Sequence, residues 1–212
     1  MHKLKSLLGV TFLLLSLVVV SSFGINSSKT DYIVTISTSF GEMKLILFDD
    51  TPIHKNNFVK LAEEGKYNGT TFHRVINNFM IQGGNLDHSN DPSWDTTSFI
   101  NKTLPNEIRS NHKHIFGALA AARTENPEKR SDISQFYIVQ NHNGTPFLDN
   151  NYTVFGQLII GYDVLDKIAQ QQVVSSVPVK DCVMQVKVEK VKRTDILKFY
   201  GDIYTKYNVK SL

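Results

Sequence analysis

From Met184 to Glu189 apolar and polar side chains take turns, with Met184, Val186 and Val188 set against Gln185, Lys187 and Glu189. A period of two is the signature of a strand with one face buried. β-rich runs recur along the chain. Tyr32 to Ser37 and Met43 to Phe48 flank Thr38-Ser39-Phe40-Gly41-Glu42, which reads as a hairpin, and Phe72 to Gln82, Gly117 to Arg123, Gln135 to Gln140 and Thr153 to Ile160 follow. So many strands have edges to protect, and an antiparallel barrel or sandwich is expected.

Two helices interrupt this pattern. Thr51-Pro52 offers an N-cap and a proline at the first helical position, Phe58, Leu61 and Ala62 form a stripe, and Gly65 supplies a left-handed stop. These predict a helix from about residue 52 to about 64. Tyr162 to Gln171 reads as a second helix, with Val164, Leu165 and Ile168 on one face. Beyond Lys192 the spacing of Ile196, Phe199, Tyr200 and Ile203 fits an amphipathic helix whose apolar face docks on the chain itself. Residues 85–114 and 124–132 read as polar surface excursions. There is no internal repeat.

The N-terminus has a different character. Lys3 and Lys5 precede a nearly unbroken apolar run from Leu7 to Val20, and Ser21-Ser22-Phe23-Gly24 brings small residues. That order reads as an export signal over residues 1–24, followed by a linker at 25–29; the run is short for a bilayer span, although retention as an anchor is the alternative. A periplasmic or secreted location is expected, or an anchored one facing outside the cytoplasm. Without residues 1–24 the formal charge falls from +3 to +1, which indicates no surface for nucleic acid. Cys182 is the single cysteine, so no internal disulfide can form, and it reads as a buried strand residue. At 212 residues, one domain with extensions is expected, among them a C-terminal piece at 193–212.

Most chemical signatures are missing: no Gly-rich phosphate loop, no Gly-x-Ser-x-Gly turn, no His-Glu-x-x-His and no cysteine cluster. His112 and His114 have no evident third ligand nearby and read as members of a solvated loop, so no metal and no cofactor is expected. Sequons at Asn26, Asn68, Asn101, Asn143 and Asn151 are what an asparagine-rich chain makes by chance. One oddity remains. Arg74 stands inside the apolar run TTFHRVINNFMIQGG, and a guanidinium that cannot lose its proton is costly to bury unpaired.

FHRVINNFMIQGG, GALAAAR (Gly117 to Arg123), SQFYIVQ (Ser134 to Gln140) and FLDNNYTVFG (Phe147 to Gly156) occur in that order. Together they resemble the cyclophilin-type peptidyl-prolyl cis/trans isomerases over roughly residues 30–192, with bacterial-like features around ENPEKRSDISQFYIVQ. The resemblance implies an all-β fold with capping helices: a closed eight-stranded antiparallel barrel with two helices and a short C-terminal helical extension.

Carried over residue by residue, the resemblance makes Arg74 the catalytic donor, with Phe79, Met80, Tyr137 and Leu148 seating a proline ring. Gln82 orients Arg74 and the substrate backbone, Ala122, Arg123 and Gln135 contact residues before the proline, and Phe147 and Tyr152 sit where many members carry Trp and His. Alternation agrees that Gln135 and Tyr137 share a face, but neighbours Phe79 and Met80 cannot both reach one pocket from a regular strand. The turn-prone pair Asn77-Asn78, in place of the family's usual Pro-Gly, offers an irregularity there.

The implied partners are proline-containing unfolded or flexible polypeptides, met by a monomer, with a membrane involved only if the N-terminal segment stays uncleaved. The implied role is isomerisation of X-Pro bonds in exported proteins; a noncatalytic proline-binding chaperone or scaffold is the alternative. Ile133 replaces a glycine common before Ser-Gln-Phe, and Phe147 lacks an indole donor. Weak binding of the cyclic peptide cyclosporin is therefore expected, and a titration that gave nanomolar affinity would contradict it.

Overall fold

The structure is a computed structural model that describes residues 29–86 and 102–207. The segment read as an export signal, residues 25–28 of the linker, Asn26 and Asn101, residues 87–101 of the polar excursion and the last five residues lie outside that range. Twelve strands occur among the described residues: β1 (Thr30–Thr38), β2 (Gly41–Leu47), β3 (Arg74–Ile76), β4 (Met80–Gly83), β5 (Thr103–Leu104), β6 (Ala118–Ala121), β7 (Ser131–Asp132), β8 (Phe136–Val139), β9 (Val154–Ile160), β10 (Val173–Val174), β11 (Val177–Pro178) and β12 (Gln185–Lys192). Four α-helices accompany them: α1 (Pro52–Glu63), α2 (Tyr162–Ala169), α3 (Arg193–Tyr200) and α4 (Ile203–Lys206).

Eight strands form one antiparallel sheet in the order β12-β1-β2-β9-β6-β8-β4-β3. Its two end strands are brought together by the segments that lead into them. The Phe72 N–H donates to the Cys182 carbonyl at 3.0 Å, the Met184 N–H to the Thr70 carbonyl at 2.8 Å and the Gly69 N–H to the Met184 carbonyl at 3.0 Å. Cys182 is fully buried, just outside any strand.

Alternation sorts the side chains onto two faces. Ile81, Leu119, Ala121, Phe136 and Ile138 join the interior cluster together with Phe58 and Leu61 of α1 and Leu165 and Ile168 of α2. Their chain neighbours Met80, Ala118, Ala120, Tyr137 and Val139 form a second cluster on the opposite face. Gly156 has no alternative in β9, because a Cβ there would sit 2.6 Å from the Ile46 carbonyl oxygen.

Both expected helices form, with differences in detail. Thr51 does not cap α1 with its side chain; its hydroxyl donates to the Phe48 carbonyl instead. The Glu107 carboxylate takes that place, accepting from the Ile53 and His54 N–H groups at 3.0 and 2.9 Å and from His54 Nδ1 at 2.8 Å. Gly65 ends the helix with φ +70°, as the sequence suggests. The polar segments are not free excursions. β5 pairs with β7, Glu107 and Ser131 are buried, and these residues pack against α1 because their polar groups satisfy its N-terminus and His54.

The C-terminal helices dock on the sheet's outer side. Ile196 and Ile203 bury themselves against Ile33 and Ile46, whereas Phe199, counted on the same apolar face from sequence, is 70% exposed. A buried ion cluster fixes the join: Lys55 Nζ lies 2.6 Å from both Asp31 and Asp49, and Arg193 reaches the same two carboxylates. Burial pushes the Asp31 carboxyl up despite Lys55. Asp49 feels the same penalty from burial, but hydrogen bonds from Lys55 and Arg193 carry it below its ordinary range. Removing one partner from a buried ion cluster leaves charge uncompensated, at a typical cost of about 3 to 5 kcal/mol. Arg193→Ala is therefore expected to lower unfolding free energy by about that amount, and urea denaturation of the variant beside wild type measures it.

Candidate active site

The hairpin of β3 and β4 sets the first row of side chains. Arg74 stands opposite Gln82, and Gln82 stands opposite Tyr137 of β8. Between the strands the chain turns through Asn77, Asn78 and Phe79. Asn78 takes φ +59°, a left-handed conformation that asparagine tolerates, and its N–H donates to Gln140 Oε1 at 2.7 Å. Gln140 and Asn141 then donate their backbone N–H groups to the Phe79 carbonyl. Because Phe79 belongs to this turn and not to β4, it escapes alternation and faces the same cavity as Met80. This removes the conflict left by the sequence pattern.

That cavity, of about 100 Å³, is lined by Arg74, Phe79, Met80, Gln82, Ala122, Arg123, Tyr137, Leu148 and Tyr152. Met80 and Tyr137 are buried and Arg74 is exposed at its mouth. Leu148 arrives on a single 3₁₀ turn, Pro146–Leu148. Two residues expected in the site are adjacent to it and not in its wall. Gln135 stands behind Gln82, and Phe147 is 67% exposed and stacks on Phe79 with ring centres 5.8 Å apart. Arg123 is held by the Asn151 carbonyl and lies 4.7 Å above the Tyr152 ring, so the cation is steadied on an aromatic face.

A chain of side-chain hydrogen bonds leads up to Arg74. Gln82 Nε2 donates to Gln135 Oε1 at 3.0 Å, and Gln135 Nε2 donates to Asp132 Oδ2 at 3.3 Å. At the near end, Arg74 Nη1 lies 3.4 Å from Gln82 Oε1, a loose contact that a bound segment can tighten. The two ends fix both amides, since a guanidinium only donates and a carboxylate only accepts; flipping either glutamine would set like against like. Asp132 is itself fastened by the backbone N–H groups of Ser134 and Gln135. Sequence reasoning passed over Asp132, although Asp-x-Ser is a recognisable turn pattern. The neighbouring Ile133 keeps its loop in place through its N–H to the Lys102 carbonyl and its carbonyl from Asn57 Nδ2.

His112 and His114 are not in a solvated loop: both are buried. His112 Nε2 meets Asp50 at 2.6 Å and its ring stacks on Phe48. His114 Nδ1 meets Asp149 at 2.9 Å while Nε2 meets the Tyr137 hydroxyl at 2.9 Å. Their partners lie far away in sequence, which is why composition alone made them look solvated. Among the described residues no three His, Cys, Asp or Glu side chains converge as a metal-binding set.

The chain is similar to known proteins of one family. The family model for the cyclophilin type peptidyl-prolyl cis-trans isomerases matches residues 33–192. Peptidyl-prolyl cis-trans isomerase A of Dickeya dadantii is 38% identical over 170 residues, covering 75% of this chain and 85% of that protein. Peptidyl-prolyl cis-trans isomerase B of Escherichia coli is 37% identical over 142 residues, covering 64% and 82%. A crystal structure of a Cryptosporidium parvum cyclophilin type isomerase superimposes with a TM-score of 0.66 at 27% identity, covering 76% of this chain and 98% of that one. A second, obtained in the presence of the dipeptide Ala-Pro, gives 0.63 at 28% identity with the same coverage.

Independently of any relative, His114 links stability to pH. Burial holds its imidazolium below the ordinary value of 6.5, although Asp149 works in the other direction. Between that depressed value and 6.5 the unfolded chain binds more protons than the folded one, so this contribution is complete above 6.5 and is lost as pH falls. Wild type should lose more unfolding free energy than His114→Gln between neutral pH and about pH 5. Paired urea titrations test this, and equal losses would count against it.

Proposed function

This chain belongs to the cyclophilin type peptidyl-prolyl cis-trans isomerases, and we propose that it speeds X-Pro rotation by aiming the Arg74 guanidinium at the prolyl nitrogen. Phe79, Met80, Tyr137 and Leu148 hold the proline ring meanwhile. The observation that carries this reading is a permanent cation and apolar walls sharing one small cavity.

The chemistry needed is slight. An X-Pro bond resists rotation by about 18 to 20 kcal/mol because nitrogen shares its lone pair with the carbonyl. In the twisted state the lone pair is released from conjugation and can accept a hydrogen bond that the planar amide cannot. A donor at that nitrogen therefore stabilises the transition state selectively. Raising a rate of about 0.01 per second to about 10 per second takes about 4 kcal/mol, within the range of one or two preorganised charged hydrogen bonds. Arginine fits because it stays charged, cannot donate its proton away, and has further N–H groups for a carbonyl oxygen. The Gln82–Gln135–Asp132 chain supports this role by limiting where the guanidinium points.

A related protein was crystallised in the presence of Ala-Pro, and the substrates inferred here are likewise proline-containing flexible polypeptides. Ala122 and Arg123 meet the residues before the proline, Gln135 acts through Gln82, Tyr152 completes the wall and Phe147 lies at the rim. Lys3 and Lys5 ahead of the apolar Leu7–Val20 run support work on exported proteins, in the periplasm or beyond the cell, or from an anchor facing outside the cytoplasm.

Arg74→Ala is expected to lower kcat/KM at least about a hundredfold, near 3 kcal/mol, while thermal stability holds. Cis-to-trans exchange in a short X-Pro peptide measures it. Undiminished exchange in the variant would remove Arg74 from the mechanism, and a wild type that binds the peptide without accelerating exchange would leave only a noncatalytic binder.

A further inference from the structure

Behind the cavity a second line of hydrogen bonds runs from its floor to a carboxylate. Asp149 Oδ1 accepts from the His114 backbone N–H at 3.0 Å and faces His114 Nδ1 at 2.9 Å, and His114 Nε2 lies 2.9 Å from the Tyr137 hydroxyl. The His114 side chain is 0% exposed, so its ring nitrogens depend on these partners. The directions follow from the chemistry of the groups. An ionised carboxylate only accepts, so Nδ1 carries the hydrogen; a neutral imidazole protonated there offers a lone pair at Nε2; Tyr137 must therefore donate. Neutrality is favoured at His114 by burial, and the Asp149 carboxyl, despite its own burial, is drawn below its ordinary range by the two His114 hydrogen bonds.

The consequence falls on the cavity floor. Tyr137 is gripped at its hydroxyl, lies nearly parallel to the His114 ring, and meets Tyr152 edge-on at 5.9 Å. Its polar end is turned away from the apolar seat and its ring is left for the ligand. We propose that Asp149 and His114 are positioning residues for the isomerase: by accepting the Tyr137 hydroxyl they hold that ring in the orientation that seats the substrate proline. This deepens the reading of the cavity given above and rests on it.

The charged and titratable groups around His114 are Asp149, Lys113, Tyr137, Tyr152 and Arg123. Lys113 Nζ lies 3.4 Å from the second Asp149 oxygen, and Arg123 sits over Tyr152. Only Asp149 favours an imidazolium here. In acid, protonation turns Nε2 from acceptor to donor, so the contact reverses: the Tyr137 oxygen accepts from Nε2–H while its own O–H is left without an acceptor inside a buried site, and the hold on the ring weakens.

Because the ring contacts planar and twisted proline alike, disturbing it should raise KM more than it lowers kcat. His114→Leu is expected to raise KM for an X-Pro peptide about tenfold, by orphaning the buried phenol. Adding Tyr137→Phe removes the orphan and should recover much of that loss, and His114→Gln, which keeps an acceptor, should recover part of it and abolish the acid limb of the wild-type kcat/KM profile. A purely structural role for His114 predicts no rescue by Tyr137→Phe. Imidazole ¹⁵N spectra of wild type, which need no variant to fold, should show the Nδ1–H tautomer at neutral pH. An Nε2–H tautomer, or an active wild type whose His114→Leu form is not rescued, overturns this inference alone. A wild type without isomerase activity overturns the reading of the cavity as well.

Discussion

Arg74 lies opposite Gln82 and Gln82 opposite Tyr137 across three neighbouring strands, and this register carries everything built on it. Side chains alternate, so a slip of one residue in β4 would turn Gln82 inward and Ile81 outward, scattering both the core and the cavity. The large residues of the interior face, Phe72, Phe136 and Ile81 among them, are fully buried and lock the register from behind. A site on the outer face of a sheet is thus held by the packing of the inner face. The exception is the Asn77–Phe79 turn, where one left-handed residue frees Phe79 from the strand's periodicity.

Two hydrogen-bonded lines then hold the polar and the apolar halves of the cavity. Each ends in a carboxylate fastened by backbone N–H groups, Asp132 by Ser134 and Gln135, Asp149 by His114. Anchors of this kind remove side-chain freedom before a ligand arrives, so little ordering is left for the moment of binding. One line leads to the guanidinium that carries the proposed chemistry, the other to the ring on which the substrate would rest.

The C-terminal helices belong to the same outer face. Tyr204 and Tyr207 pack against both the Ile33–Ile46 patch and the cluster that contains Met80 and Tyr137, and Arg193 lies beneath the Tyr204 ring. The extension therefore covers apolar surface continuous with the cavity's supporting layer. The shared carboxylates Asp31 and Asp49 tie it to α1 through Lys55.

Local pattern was enough for the long strands and the two capping helices, because period and turn chemistry are properties of neighbouring residues; it passed over β5, β7, β10 and β11 and read β3 and β4 as one run, and the family came from the resemblance of four motifs. Four motifs identified Arg74, Phe79, Met80, Gln82, Tyr137 and Leu148 as one constellation before any coordinates, and they share one cavity. Asp132, His114 and Asp149 were not legible in that way. His114 stands 35 residues from Asp149 and 23 from Tyr137, and nothing in a polar loop's composition says which distant group will face it. Sequence determined the alternation of the long strands and the two capping helices, since those preferences act over a few bonds. Tertiary structure alone decided which donors meet which acceptors, since a hydrogen bond depends on ångström distances that only the folded chain sets.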